Sequence, residues 1–294
     1  MTVKTAAQPN GIEAIADILA CPACSSALVL DGNAIQCAGC GTRYGVDDGV
    51  ALLAMRGTSG TWGAPQESAQ SDDYQAEYQT IERAAAYNHG YQRHAHKRFG
   101  TRHEWRLIRR YLDKVGHSRV ILELPSGGGR ITPAFASAAD FVIEADIAIG
   151  QLRYGRVASK VTTPRAWMTA SAFHIPLRDN SVDGTICIRL AHHLPTAAER
   201  DRLFQELLRV SKRFVIVTYF DHYSIKNLTR RIRHPFNRKP PKLTMTTDRV
   251  AELARAGGAS LVATTPLSRF VSGHRYALIV KDAAIRPAGK PAVA

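Results

Sequence analysis

The chain has 294 residues, of which 45% are hydrophobic and 22% charged, enough apolar material for one full α/β core with a smaller companion unit. No apolar run approaches the ~18 residues a membrane span requires, and the opening MTVKTAAQPN lacks the apolar core of a secretory signal. A membrane-spanning or exported protein is therefore not expected, and the cytoplasm is the expected compartment. The formal charge of +14 favours anionic partners such as nucleic acid, phosphorylated substrates or an acidic lipid surface, without choosing among them.

Ile12, Ile15, Ile18 and Leu19 predict a short amphipathic helix that runs into Cys21-Pro-Ala-Cys24, and Cys37-Ala-Gly-Cys40 follows after residues 25–36. Two C-x-x-C knuckles at this spacing predict a zinc ribbon. Each knuckle turns two thiolates toward one tetrahedral ion, and the hairpin between them brings the pairs together. Disulfides, which need an oxidising compartment, and an iron–sulfur site are the alternatives. With Cys21, Cys24, Cys37 and Cys40 all used, no position is left for a catalytic water, so a structural metal is expected. Residues 1–54 are assigned to this unit. Residues 55–73, rich in Gly, Ser, Ala and Gln, read as a linker whose one large apolar group, Trp62, packs on a neighbouring surface.

The main domain is expected over 74–284. Its first part, 74–117, is helical, aromatic and basic, with Tyr74, Tyr78, Tyr87, Tyr91, His89, His94 and His96; Tyr87 and Tyr91, four apart, share one helix face. A helix from Glu104 to Leu112 presents Trp105, Ile108, Tyr111 and Leu112 to the core. Val120-Ile121-Leu122, too short for a helix and closed by Pro and Gly, reads as a strand buried on both faces of a parallel sheet. Gly127, Gly128 and Gly129 follow, then a helical run from Arg130 to Ala138. A glycine turn between strand and helix lets a ligand approach the backbone, and the free N–H groups of the helix start attract anions. A second strand, Phe141-Val142-Ile143, ends in Glu144-Ala145-Asp146. An acid at that tip is placed to accept hydrogen bonds from the two ribose hydroxyls of a nucleoside lying across the sheet edge.

A helix over 149–157, a third strand over 166–169, a loop over 176–181 and a fourth strand over 184–189 continue the alternation, with Cys187 a small core residue. Arg189, His192 and His193 fall at the ligand edge. Thr196-Ala-Ala-Glu199 fits a capping box opening a helix that turns Leu203, Phe204, Leu207 and Leu208 inward. The fifth strand, 214–218, ends in Tyr219-Phe220-Asp221-His222. A basic insertion over 222–245 contains Lys226, Arg230, Arg231, Arg233, Arg238, Lys239 and Lys242, with no acid between Lys226 and Lys242, a composition suited to phosphate on RNA or on an anionic lipid. A helix over 247–256 stopped by Gly257-Gly258 and strands over 261–265 and 276–281 complete a doubly wound sheet of seven strands, and 285–294 is expected to be a disordered tail.

The run ELPSGGGR, with Asp146 and the later ASAFHIPLRDNSVDGTICIRLAHHLP, resembles the class I S-adenosylmethionine-dependent methyltransferases, in particular the branch of the ubiquinone/menaquinone methyltransferases. The resemblance spans residues 103–281. It implies a seven-stranded Rossmann-like sheet and a site for S-adenosylmethionine. Glu123 takes the first acid; Pro125, Gly127 and Gly129 take the three glycine positions, with Ser126 between them; Asp146 takes the second acid, followed by Ile147. Ser171, Ala172 and Phe173 fall where the family contacts adenine, Arg189 falls at the cofactor edge, and Ser181-Val182-Asp183 leads the fourth strand. Pro125 stands where the family has Gly, and Ser171 where an acid is frequent. In the family the segment before the first strand commonly lies over cofactor and substrate as a lid; an aromatic stripe that packs on the domain is the alternative for residues 74–100. Residues 12–54 resemble the ribbon that precedes the catalytic domain in some bacterial rRNA guanine methyltransferases.

Methyl transfer from a sulfonium is an in-line displacement, so a protein has to align nucleophile and methyl group and remove a proton where the nucleophile carries one. His192, His193, Asp221 and His222 are the candidate bases. The expected function is methyl transfer to a small or lipid-like, anionic acceptor. Its rivals are an RNA methyltransferase, favoured by the ribbon and the charge, and a non-catalytic binding protein that keeps the fold, favoured by Pro125 and Ser171. An N-P-P-Y-type motif after the fourth strand, suited to exocyclic amines of bases, is absent.

Overall fold

The computed structural model describes residues 11–32, 34–54, 77–233, 243–270 and 272–285. A 3-10 helix, Gly11–Ile18, precedes four short strands, β1 (Leu28–Asp31), β2 (Ala34–Cys37), β3 (Arg43–Asp47) and β4 (Val50–Leu52). Helices α1 (Ile81–Arg93) and α2 (Ala95–Val115) then lead into β5 (Ser118–Glu123), β6 (Ala139–Asp146), α3 (Ile149–Ala158), β7 (Arg165–Thr169), β8 (Val182–Cys187), α4 (Ala197–Val210) and β9 (Ser211–Phe220). The chain continues through α5 (Ile225–Arg233), α6 (Thr247–Ala256), β10 (Ala259–Pro266), β11 (His274–Lys281) and α7 (Asp282–Ile285).

All strands join one mixed sheet in the order β1-β2-β3-β4-β7-β6-β5-β8-β9-β11-β10. The strands β7, β6, β5, β8 and β9 are parallel, and β11 runs antiparallel between β9 and β10. Continuous apolar runs explain the parallel centre: Phe214 to Phe220 is buried at every position, as a strand covered on both faces must be. Leu203, Phe204, Leu207 and Val250, from α4 and α6, pack into one hydrophobic cluster, and Leu107, Ile108, Tyr111 and Leu112 of α2 into the other.

The sheet has eleven strands, not seven. The seven expected strands are β5 to β11 and lie side by side, and the N-terminal unit supplies the other four. Its last strand, β4, pairs parallel with β7, with Val50 opposite Trp167 and Leu52 opposite Thr169. The physical reason is edge protection: β4 carries buried Val50 and Ala51 and covers backbone donors and acceptors that β7 would otherwise present to solvent. Ion pairs Arg153–Asp47 and Arg156–Asp48 and the Ala54 N–H on Thr169 Oγ1 (2.9 Å) fasten the same seam.

The expected helix over 130–138 is not formed. Two single-turn 3-10 helices, Thr132–Ala134 and Ala136–Ala138, stand there, because Pro133 removes a backbone donor and Phe135, at φ −133°, turns its ring fully into the core. The core face of α2 also differs: Glu104, Leu107, Ile108, Tyr111 and Leu112 are buried, while Trp105 is only half-buried. The capping box is formed as expected, with Thr196 Oγ1 accepting from Glu199 N–H (3.1 Å) and Glu199 Oε2 accepting from Thr196 N–H (2.9 Å). The linker with Trp62, residues 234–242 of the basic insertion and the tail from 286 lie outside the described residues.

Candidate active site

The chain leaves β5 for β6 and β7 on one side and later takes β8 and β9 on the other, so the carboxyl end of β5 is the sheet's topological switch point. The glycine turn sits there. Gly127 (φ +53°) and Gly129 (φ +72°) adopt the left-handed conformation that glycine takes without steric cost. The N–H of Ser126 donates to Ala145 O (2.8 Å) and the N–H of Gly127 to Asp146 Oδ2 (2.8 Å), while Asp146 Oδ1 accepts from Ala148 N–H (2.9 Å). Asp146 is fully buried; this pushes its carboxyl up to about 6, opposed by the backbone donors of Ala148, Gly127 and Ile147. The residue expected to grip a sugar thus also anchors the turn.

Glu123 lies behind the turn with no solvent access. Its Oε2 accepts from the Thr132 hydroxyl (2.7 Å), and Oε1 has no hydrogen-bond partner among the described residues. Burial first, and neighbouring Glu144 second, hold this carboxyl well above the usual range. Above the turn lies α1: a Cβ on Gly128 would come within 2.4 Å of Asn88 Nδ2, and one on Gly150 within 2.3 Å of Tyr78 O. Asn88 is fixed by donating to Gln151 Oε1 (2.9 Å) of α3. The segment expected as a lid therefore rests on the glycine turn.

On the other flank, Ser171 is buried and its hydroxyl accepts from Phe173 N–H (3.2 Å). Phe173 points into the core instead of lining an open cleft, because its loop is pinned from outside by Glu206 on Ile175 N–H (2.9 Å), by Arg202 Nε on Phe173 O (3.0 Å) and by Ala20 N–H on Pro176 O (3.1 Å). Ala172 and Ile147 stay half-buried. Ile147 lines a cavity of about 240 Å³ with Leu52, Gln79, Ile149, Arg153 and Thr169.

The other half of the switch point carries a buried charge cluster. Arg189, at φ +66°, donates its backbone N–H to Thr218 Oγ1 (2.7 Å), its Nε to Glu104 Oε1 (3.0 Å) and Nη1 to Tyr91 Oη (3.3 Å). Arg130 pairs with the second oxygen of Glu104 and lies 4.9 Å from the centre of the Tyr91 ring. Burial alone would raise the Glu104 carboxyl, but Arg130 and Arg189 hold it below its ordinary range. Burial likewise opposes ionisation of Tyr91, yet the hydroxyl of Tyr87 and the two guanidinium groups bring its phenol below the usual value. Glu104 was hidden in the sequence, although its spacing from Leu107, Ile108, Tyr111 and Leu112 puts it on the apolar face of its helix, an odd place for an unpaired acid.

At the ends of β8, β9 and β11 the rings of His192 and Phe220 stack at 4.2 Å, His193 lies 4.2 Å from His192, and His274 meets His192 edge-on at 4.8 Å. His274 was not among the expected site residues; a histidine at the first position of a strand has no local pattern to mark it. The other expected bases are engaged elsewhere. Asp221 pairs with Arg275 (2.8 Å), and His222 contacts Thr244 Oγ1 (3.0 Å) through Nδ1 and Arg231 through Nε2. Of the four candidates, His192 and His193 join the ring cluster with Phe220 and His274, while Asp221 and His222 pair with Arg275 and Arg231.

Burial, and after it the charge of Arg189, push the His274 imidazole down to about 3 from 6.5. Between those values only the unfolded chain takes up this proton, so stability present above about pH 6.5 falls with pH at about 1.4 kcal/mol per unit. On going from pH 7 to 5, wild type is expected to lose about 2 kcal/mol more stability than His274→Gln, as measured by urea unfolding. Asp146 acts in the opposite direction over this range but is common to both proteins. Equal losses would mean that His274 protonates freely in the folded state.

The N-terminal cysteines converge: the sulfurs of Cys21, Cys24, Cys37 and Cys40 lie within 4.8 Å of one another, with Cys24–Cys37 at 3.3 Å and Cys21–Cys40 at 3.7 Å. A tetrahedral zinc at ~2.3 Å from each sulfur requires sulfurs ~3.8 Å apart, so the set is compatible with one such ion. The N–H groups of Gly39 and Cys40 both donate to Cys37 Sγ (3.3 Å), and the hydroxyls of Tyr44 and Thr42 lie 3.1 Å from Cys21 and Cys40, an outer layer of the kind that orients metal ligands.

A doubly wound sheet with a glycine turn at its switch point and a buried acid at the tip of the next strand is an arrangement in which open α/β sheets bind nucleoside-containing ligands. Residues 122–216 match the family model described as a methyltransferase domain. Among solved structures, magnesium protoporphyrin IX methyltransferase from Synechocystis PCC 6803 with bound SAH is similar at TM-score 0.60 and 14% identity, over 71% of this chain and 99% of that one. A chain of the complex between the Haloferax volcanii Trm112 methyltransferase activator and a methyltransferase is similar at TM-score 0.51 and 12% identity, over 68% and 96%. At these identities the likeness is one of fold. No curated protein matches the chain in sequence.

Proposed function

We propose that the protein is an S-adenosylmethionine-dependent methyltransferase acting on a small or lipid-like, anionic acceptor in the cytoplasm. The observation that carries this reading is the glycine turn at the switch point, held on Asp146 by the Gly127 N–H and flanked by Glu123, whose buried Oε1 has no hydrogen-bond partner among the described residues. These residues fit a nucleoside cofactor: Pro125, Ser126, Gly127 and Gly129 form its cradle, Asp146 the sugar side, and Ile147, Ser171 and Ala172 the base side. When bound, the cofactor supplies an electrophilic methyl on a sulfonium. The chain's own part is to align the acceptor and take up its proton.

For the acceptor, Arg189 and Arg130 supply positive charge, while the ring of Phe220 supplies an apolar floor. His192 is the best-placed base for an oxygen nucleophile. This fits the ubiquinone/menaquinone-type branch suggested by the motifs. Cys21, Cys24, Cys37 and Cys40 hold a structural zinc in this reading. The RNA reading retains the formal charge of +14 and the ribbon in its favour. Calorimetry decides the first question: S-adenosylmethionine is expected to bind one site per chain and to raise the melting temperature. No heat and no thermal protection would leave a non-catalytic scaffold. Co-purifying nucleic acid, removable by salt, would favour RNA as the acceptor.

A further inference from the structure

Helix α5 is amphipathic the wrong way round for a helix packed on a protein. A surface helix buries its apolar stripe and exposes its polar one. Here the buried residue is Asn227, whose Nδ2 donates to Asp221 O (2.9 Å) and Gly273 O (3.3 Å) and whose Oδ1 accepts from Arg230 (2.9 Å). The apolar residues Ile225, Leu228 and Ile232, at i, i+3 and i+7 on one stripe, are exposed at 47, 44 and 64%. Tyr223, just before the helix, is 72% exposed, and Phe270, in the loop that Asn227 fastens through Gly273, is 70% exposed. Around this stripe stand Lys226, Arg231 and Arg233, and the helix contains no acid.

We propose that α5, with Tyr223 and the Phe270 loop, docks the protein on the surface of an anionic phospholipid bilayer. An outward apolar stripe flanked by cations matches the headgroup boundary, where aliphatic and aromatic groups enter the acyl region and Lys and Arg meet lipid phosphates. The basic residues alone would suit RNA equally. The exposed Ile225, Leu228 and Ile232 decide for lipid, because a phosphate backbone offers them nothing to bury against. The helix follows β9, whose end carries Phe220 and Asp221, and Arg230 reaches back over the Phe220 ring at 5.5 Å. Docking through α5 therefore turns the acceptor mouth toward the bilayer, so that a lipid-like acceptor enters from the membrane side. Only this last step rests on the function proposed above.

The test is co-sedimentation of the full chain with vesicles of phosphatidylcholine alone and with about one-third phosphatidylglycerol. Wild type is expected to bind the anionic vesicles, to ignore the neutral ones and to lose at least about tenfold in affinity in half-molar salt. Leu228→Ser/Ile232→Ser, two exposed changes that leave the thermal melt unchanged, is expected to lose at least about tenfold. The proposal is overturned if folded wild type stays in the supernatant when the anionic vesicles are pelleted, if the double variant binds them as well as wild type does, or if the variant converts a dimer to a monomer in sedimentation velocity, which would make a second copy the occupant. Tight binding of an RNA duplex, indifferent to the variant and displacing vesicles, would likewise overturn it. Cofactor calorimetry needs no vesicles, so failure of docking and failure of the methyltransferase reading are separately visible.

Discussion

Replacing Glu104 by glutamine is expected to lower stability by about 3 kcal/mol, or about 10 °C in melting temperature, and to weaken cofactor binding as well. The side chain is only 1% exposed, yet it serves two guanidinium groups, Arg130 and Arg189, from opposite carboxylate oxygens. Glutamine keeps the shape and removes the charge, leaving two cations facing each other across a site with little water to screen them. The effect falls at the lower end of the range for broken buried pairs because Arg130 and Arg189 retain 18% and 32% exposure. The double variant Glu104→Gln/Arg130→Gln should recover part of the loss, a coupling that thermal denaturation of the cycle measures. Since Arg130 ends the glycine turn and Arg189 ends the β8 edge, the single variant should also bind S-adenosylmethionine more weakly. An unaltered melt and unaltered calorimetry would show the cluster to be ornamental.

Removing the proposed zinc is expected to have an effect of similar size through a different route. Elemental analysis should find one zinc per chain in wild type and none in Cys37→Ser, whose lost sulfur is the one that accepts from both Gly39 and Cys40 N–H groups. The melting temperature should fall by on the order of 10 °C, because a ribbon with little core of its own depends on its metal to fold. The consequence extends beyond the ribbon. β4 is hydrogen-bonded to β7, so those amides between Arg165 and Thr169 that point toward β4 rather than β6 should lose protection from hydrogen exchange, and the freed edge should promote association between chains. Metal-free wild type with an unchanged melt would mean that the four thiols are structural without an ion.

What could be read from residue order alone was whatever depends on local pattern. The buried strands β5, β6 and β9 declared themselves through short unbroken apolar runs, α4 through its capping box, the glycine turn through its position after a strand, and the cysteine cluster through two short knuckles. Each is a property of a few neighbouring residues, so no long-range contact was needed to recognise it. Three things were decided only by tertiary packing. The N-terminal strands joined the main sheet because β7 had an open edge, and strand pairing between residues 50 and 167 leaves no mark in either segment. Glu104 became the hub of a buried charge cluster because Arg130 and Arg189, distant in sequence, arrive on opposite sides of its carboxylate. Asp221 and His222 received Arg275 and Arg231 as partners, side chains supplied by other elements. Period and spacing are written along the chain, whereas the charge that faces a buried group is set by which strands become neighbours.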